Sequence, residues 1–190
     1  NTLFLSYSLH YKWTNHPIMA FPRYNADKKQ LITQYQNIVF ARNLGSNLYL
    51  NYRPIPLLSL TFSGNIDWYK NQESEQFWDK SNTAYNLTLM CDVLLKKNWT
   101  IALQYGNYKN PAEIWAKAHA FSISSLAISK SFFKGSLNTR VVMNSPFQKY
   151  NELLVEQNLT HFSRSQTNYL TARAFGIDIT YTFKSGNPKE

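Results

Sequence analysis

The chain has 190 residues, of which 44% are hydrophobic, and its mean hydropathy is −0.41. No run approaches the ~20 apolar residues that a membrane-spanning helix requires, which excludes a helical membrane protein. The net charge of +9 includes 20 lysines and arginines scattered along the chain, which argues against the clustered basic stripe of a nucleic-acid-binding protein. The single cysteine, Cys91, leaves no intrachain disulfide and no metal-binding cysteine spacing.

The chain opens directly on a period-two alternation. Large apolar residues occupy the odd positions from Leu3 to Trp13, and the even positions between them are polar except Phe4. Successive side chains of a strand point to opposite faces, so this segment predicts a strand with one apolar and one polar face. No basic leader precedes it, and we expect either a removed export signal or the tail of a longer polypeptide.

Seven further segments continue this alternation along the chain. Their ranges are 44–52, 58–68, 85–93, 99–105, 121–128, 137–143 and 175–183. In the sixth strand, residues 121–128, the apolar positions change parity between Ile123 and Leu126, which predicts a β-bulge at Ser124 and Ser125. Residues 30–42 have an irregular extended pattern, and we attach them to the second strand as its part above the membrane.

The connections between these segments alternate in length. Tight turns are expected at residues 53–56, 96–98 and 133–135, and longer polar loops at 14–29, 70–81, 109–116 and 148–166. Short turns at one end and long loops at the other are typical of outer-membrane barrels. The prediction is an all-β antiparallel transmembrane β-barrel of about eight strands over residues 1–183, followed by a polar periplasmic tail over residues 184–190.

The chemistry of the two faces supports a lipid-facing sheet. The apolar face of the eight segments carries no charged residue, and one Arg or Lys at the bilayer midplane would cost ~2–4 kcal/mol. Tryptophans stand near segment ends, where aromatic rings prefer the headgroup level. The opposite face suits a hydrated lumen, in which charged residues either line a substrate path or form an ion-paired wall. These lumen-facing charges are Asp67, Asp92, Arg140 and Asp178.

The long loops contain further candidates. Trp78 and Trp115 are candidate ligand-contacting aromatics, against the alternative that they pack within the loops. An acidic loop could hold Ca²⁺ or be simply solvated; its carboxylates are Glu73, Glu75 and Asp79. No histidine pair has the spacing of a metal site, and no nucleophile or phosphate-binding motif is present. We therefore expect no enzyme activity, no cofactor and no metal.

The last segment has a recognisable pattern. Its alternating large residues are Phe175, Ile177, Ile179, Tyr181 and Phe183. This resembles the terminal-strand assembly signal of outer-membrane proteins, which implies recognition by the barrel-assembly machinery. Residues 41–46 at a strand start, 127–136 around a turn and 144–147 before a long hairpin complete a wider resemblance. The chain resembles the C-terminal barrel portion of TonB-dependent receptors, within the outer-membrane β-barrel family common in Bacteroidota.

That resemblance implies a nutrient-uptake barrel in the outer membrane of a Gram-negative bacterium. The implied partners are outer-membrane lipid, N-terminal barrel and plug segments of the same polypeptide, TonB acting through the plug, and a surface lipoprotein. The small residues of the polar face would not fill a narrow lumen, so we expect these eight strands to belong to a plugged barrel of about 22 strands. The alternatives are a stand-alone eight-strand barrel acting as a structural protein or adhesin, and a soluble carbohydrate-binding β-sandwich.

Overall fold

Strands account for nearly all of the regular structure in the computed structural model, which describes residues 1–25, 27–72, 80–111, 116–159 and 162–183. Two single 3₁₀ turns, Lys96–Asn98 and Phe133–Gly135, are the described helical elements. In chain order the strands are β1 (Thr2–Asn15), β2 (Ile18–Asn25), β3 (Gln30–Asn37), β4 (Phe40–Ile55), β5 (Leu58–Gln72), β6 (Lys80–Leu95), β7 (Trp99–Lys109), β8 (Ala116–Ala118), β9 (Phe121–Phe132), β10 (Leu137–Asn144), β11 (Tyr150–Leu159), β12 (Phe162–Thr171) and β13 (Ala174–Tyr181).

Eight of these strands form one antiparallel sheet in the order β1-β4-β5-β6-β7-β9-β10-β13. They correspond one for one to the eight predicted segments, and every neighbouring pair is antiparallel. The three tight turns lie at one end of the sheet, here called the turn end. The long connections lie at the other, the loop end. The predicted alternation of connection lengths is therefore confirmed.

The strands of the main sheet are staggered. A row of directly opposite residues begins near the turn end of β1 and reaches the loop end of β13, because each strand is displaced along its neighbour. Such stagger accompanies the strand tilt that a closed barrel requires. The row contains Leu3, Tyr52, Leu60, Cys91, Leu103, Leu126, Met143 and Phe175.

The sheet is open at both edges. No described strand pairs with the outer edge of β1 or of β13, so the sheet forms a wall and not a closed barrel. Side chains of both edge strands are mostly exposed. A lone sheet edge leaves a row of backbone N–H and C=O groups without partners, which is especially costly inside a bilayer.

The predicted bulge at Ser124 and Ser125 is wrong. The register of β9 is continuous against both neighbours, so Phe121 and Ile123 lie on the polar face and Leu126 on the apolar face. The reason is aromatic packing on the polar face at the loop end, where the ring of Tyr108 stacks on Phe121 at 5.5 Å.

A register shift occurs instead in β4, between Tyr52 and Ile55 beside the first turn. Pro54 lies inside this interval. Proline has no backbone N–H to donate to the ladder, which explains an irregularity at this point.

Residues 30–42 do not extend β4 as a unit, which corrects the prediction for that stretch. Gln30–Asn37 is β3, which pairs with β2 in a separate hairpin, and β4 begins at Phe40. Ile38 between them is 1% exposed and packs with Phe21 of the hairpin. A tightly buried residue at the junction thus anchors the hairpin to the loop end of the wall.

The last long connection also contains regular structure. Its strands β11 and β12 form a hairpin, and β8 from another long connection adds to β11, giving a three-stranded sheet β12-β11-β8. The His119 Nε2 atom lies 3.2 Å from Glu156 Oε2 beside this junction.

No helix within the described ranges has the length and apolar character needed to cross a membrane.

Candidate functional site

The register assigns all eight alternating segments to two common faces. The odd residues of β1 lie opposite even residues of β4. Continued across the sheet, this register places the predicted apolar positions on one side, except Phe121 and Ile123 of β9. The large apolar residues of this face are substantially exposed, for example Leu5 at 58%, Leu89 at 50% and Ile177 at 72%. Contact between water and an apolar surface of this extent is unfavourable, so this face requires an apolar partner.

Charges occur on the apolar face only near strand ends. Within the eight described strands it carries no Asp or Glu, and its basic residues are Arg42, Lys70 and Lys109 towards the loop end and Lys130 near the turn end. The Lys130 ammonium lies 4.7 Å from the Trp99 ring and 4.9 Å from the Phe132 ring. Basic and aromatic side chains together at a strand end are typical of a membrane–water boundary.

The terminal strand presents its predicted signal residues on this same face. Ile177 lies opposite Val141, and Tyr181 lies opposite Leu137. The strand ends at Tyr181, and the Thr182 N–H donates to Ser136 O at 2.8 Å, so pairing with the last turn continues one residue further. Phe183 lies beyond the strand, with its ring edge-on to Tyr181 at 4.6 Å.

The four predicted lumen-facing charges all lie on the polar face by register. Arg140 and Asp178 are directly opposite each other on β10 and β13. Asp67 on β5 and Asp92 on β6 are several strands away from that pair. The structure therefore brings two of the four together and separates the others.

The loop candidates Trp78, Trp115, Glu73, Glu75 and Asp79 lie outside the described residues, as does the tail over residues 184–190. Among the residues that are described, no three His, Cys, Asp or Glu side chains gather into a group that could hold a metal ion.

The polar face holds a cluster that the sequence reasoning missed. The His10 Nε2 atom lies 3.3 Å from Asp67 Oδ1, and the Asn43 side-chain amide donates to the same oxygen at 3.0 Å. Gly45 lies opposite both His10 and Asp67 in the register, and a Cβ there would overlap the imidazole and reach the carboxylate. The missed signal was this glycine, because an isolated glycine within a strand often marks a close approach.

Three asparagines of β4 make side-chain hydrogen bonds to neighbouring strands on the polar face. Asn43 reaches Asp67, as above, and Asn47 donates to Ser8 Oγ at 3.2 Å while accepting from the Asn65 amide at 2.6 Å. Asn51 donates to Thr61 Oγ1 at 2.7 Å near the turn end. The side-chain amides of this face are neutral donors and acceptors of the kind that can also bond water or a polar solute.

Comparison with known proteins decides the family. A profile of the outer membrane protein beta-barrel family matches residues 1–181. The chain belongs to this family. The search found no match among curated proteins and none among solved structures.

Membership in the outer-membrane β-barrel family gives the two faces their environments. The protein is located in the outer membrane. Because barrel strands alternate lipid-facing and lumen-facing residues, we expect the apolar face to contact lipid and the polar face to form the inner side of the wall. The alternative of a soluble carbohydrate-binding β-sandwich is therefore wrong.

The contact at Gly45 leads to a stability prediction. Gly45→Ala should displace His10 and lower the free energy of unfolding by about 0.5–1.5 kcal/mol, the net value of one such contact. In a His10→Ala background the same substitution should cost less, because the imidazole nearest to the new methyl group is gone and the Asp67 carboxylate oxygen, 2.5 Å from that group, is the close contact that remains. Urea unfolding of the four proteins in one detergent measures this coupling.

The matched control is Gly64→Ala on the lipid face, where the atoms nearest to an added Cβ are side-chain atoms of Phe62 and Leu87 at 3.0–3.2 Å. Its effect should not depend on His10. Additive effects of Gly45→Ala and His10→Ala would mean that the two residues do not meet in the membrane-inserted protein.

Proposed function

We propose that this chain forms part of the wall of a wider transport barrel that takes up a nutrient through the outer membrane with energy from TonB. The observation that carries the proposal is the open eight-stranded sheet, whose polar face carries many short, neutral, hydrogen-bonding side chains beside its charged ones. An eight-strand barrel has room only for a filled interior, whereas a barrel of about 22 strands holds a plug in a wet lumen.

The lengths of the free edges favour the wider barrel. β1 has 14 residues and β13 has 8, so direct pairing of the two would leave part of β1 without a partner. In a wider barrel, further strands would pair with each edge along its full length. Backbone groups inside a bilayer must be paired, which makes this difference significant.

The proposed function involves partner proteins but no catalytic activity. Additional strands and a plug domain of the same polypeptide would complete the barrel, TonB would act on the plug, and a surface lipoprotein could cover the loop end. The barrel-assembly machinery would insert it into lipid. Catalysis is not part of the proposal, since the contacts described on the inner face are hydrogen bonds and the His10–Asp67 contact, without a nucleophile beside a base.

Cysteine cross-linking of the full-length gene product in its own outer membrane tests the wall assignment. With Cys91 replaced by Ala, cysteines at Ser6, Ser8 or His10 of β1 are each combined with a cysteine at Asp178 or Thr180 of β13. We expect no intramolecular disulfide in any combination, because other strands would separate the two edges. Antiparallel neighbours have Cα atoms about 4.5–5.5 Å apart, within the range that a disulfide spans.

The positive control pairs cysteines at Asn138 and Thr180, which are directly opposite on β10 and β13. This pair should oxidise readily. Efficient β1–β13 disulfides would contradict the wider barrel and favour a stand-alone eight-strand barrel. If the barrel is wide, deletion experiments test the transport step. Deletion of this gene and deletion of TonB should each abolish growth on the same nutrient.

A further inference from the structure

A small pocket lies in the polar face where β1, β4, β5 and β6 run side by side. Its volume is about 170 Å³, and its lining side chains are three serines, three asparagines and Tyr49. Leu48 and Gly64 also line it, and because they belong to the opposite face by register, they contribute their backbone to its floor. The pocket therefore combines a polar lining with one aromatic ring.

The amides of this pocket keep hydrogen-bonding capacity for a ligand. The Asn65 amide donates to Asn47 Oδ1 at 2.6 Å, and the Asn47 amide donates to Ser8 Oγ at 3.2 Å. Each bond uses one of the two N–H groups of an amide, so each of these amides retains a second donor. Asn86 on β6 is exposed and accepts from Thr88 Oγ1 at 3.4 Å, and within the described ranges no acceptor pairs with its own N–H groups.

One side of the pocket is formed by the Tyr49 ring, which is 40% exposed. Phe4 of β1 lies edge-on to this ring, with the two ring centroids 5.9 Å apart. Phe4 is the one large apolar residue on the otherwise polar side of β1, and its contact with Tyr49 explains its presence there. An aromatic ring beside several neutral donors and acceptors suits a sugar, whose C–H groups pack on a ring while its hydroxyls bond to amides.

The lining of the pocket carries no Asp, Glu, Lys, Arg or His. The His10–Asp67 contact lies one register step towards the loop end, and its two groups already partner each other. A charged ligand would lose hydration in the pocket without gaining a counter-charge, which is unfavourable. The lining therefore favours a neutral ligand over an anionic one such as a carboxylate-rich metal chelate.

We infer that this pocket binds one ring of a neutral oligosaccharide, and that such an oligosaccharide is the nutrient of the proposed transport barrel. The Tyr49 ring packs against the C–H face of the sugar, and the amides of Asn65 and Asn86 bond its hydroxyls. The volume is below the roughly 300–1,000 Å³ of sites for drug-sized ligands, so the pocket suits a single ring. The inference rests on the proposed function, because side chains would fill the interior of a narrow eight-strand barrel.

The same row of opposite residues continues from the pocket to a second pair of rings. Tyr108 lies opposite Asn86 and Phe121 lies opposite Tyr108, and the two rings stack at 5.5 Å. The Tyr108 hydroxyl is 3.4 Å from Thr88 Oγ1, on the strand that also carries Asn86. Three strand spacings, roughly 14 Å, separate β7 from β4, the strand of Tyr49. A chain of several sugar units, in contrast to a single sugar, can reach both aromatic positions.

Glycan binding by the full-length protein tests the site. The protein is purified in an amine-oxide detergent, which has no sugar headgroup to compete, and is probed with an array of neutral oligosaccharides and of uronic-acid and sulfated glycans. We expect binding of neutral oligosaccharides and not of the acidic glycans. In calorimetry with the best-bound oligosaccharide, Tyr49→Ala and Asn86→Leu should each weaken the affinity about tenfold. Tyr49→Phe, which retains the ring, should bind nearly as the wild type does.

The matched control is Asn138→Leu, which removes an exposed amide from the same face on β10, away from the pocket, and should leave the affinity unchanged. Absence of binding to every neutral glycan would overturn the inference. Equal binding of the acidic glycans, or unchanged affinity in either Tyr49→Ala or Asn86→Leu, would also overturn it. The cysteine cross-links distinguish the two failures: β1–β13 disulfides reject the wide barrel, whereas unlinked edges without glycan binding reject the sugar site alone.

Discussion

Leu89→Arg is expected to remove most of the protein from the outer membrane, whereas Thr88→Arg, one residue earlier on β6, should leave its amount near wild type. Leu89 lies in the middle of the wall opposite Phe62 and Tyr105 on the lipid face, and Thr88 points to the inner side. An arginine at the bilayer midplane costs about 2–4 kcal/mol, and an arginine on the inner side remains in contact with water. Immunoblots of outer-membrane fractions and urea unfolding of the purified variants measure the two effects.

A second pair of variants tests the dependence on depth. Ile179→Arg and Thr180→Arg place the same charge on opposite faces of β13, close to the turn end of the strand. The cost of arginine falls to about 0–1 kcal/mol near the membrane boundary, so this pair should differ much less than the pair on β6. Equal tolerance of arginine at Leu89 and Thr88 would contradict the assignment of the two faces.

Simultaneous Tyr181→Ala and Phe183→Ala should strongly reduce the amount of assembled barrel and leave precursor in the periplasm. The two rings contact each other at the end of the terminal strand, and both project from the wall. If the assembly machinery reads this strand, loss of both rings should slow insertion more than it destabilises the inserted protein. Pulse-chase labelling with periplasmic and outer-membrane fractionation separates rate from stability.

The matched control is Tyr11→Ala with Trp13→Ala, which removes another pair of adjacent lipid-facing rings, stacked at 5.8 Å on β1. This control should lower stability without accumulation of precursor. Normal assembly of a chain truncated after Thr180 would contradict the role of the terminal residues.

The eight strands of the wall, and the two faces of every one of them except β9, were determined by the sequence alone. Alternation is a local property, because a strand turns each successive side chain to the opposite face whatever lies beside it. Leu3 to Trp13 and Leu58 to Trp68 could therefore be assigned to a lipid face before any pairing was known. The tight turns also depend on local backbone conformation. Lys97 and Lys134 each adopt a positive φ within a single 3₁₀ turn.

Only the tertiary structure decided which residues meet. His10 and Asp67 are far apart in sequence, and the register of three strands brings them together over Gly45. The parity change at Phe121 and Leu126 suggested a bulge, but packing of Phe121 against Tyr108 supplies a partner for an apolar residue on the inner face. The chain reversal after β10 depends on a backbone hydrogen bond from Ser145 to Ser124, which no local pattern encodes. Register, ring packing and chain reversal depend on contacts between distant segments, whereas alternation depends only on the geometry of one strand.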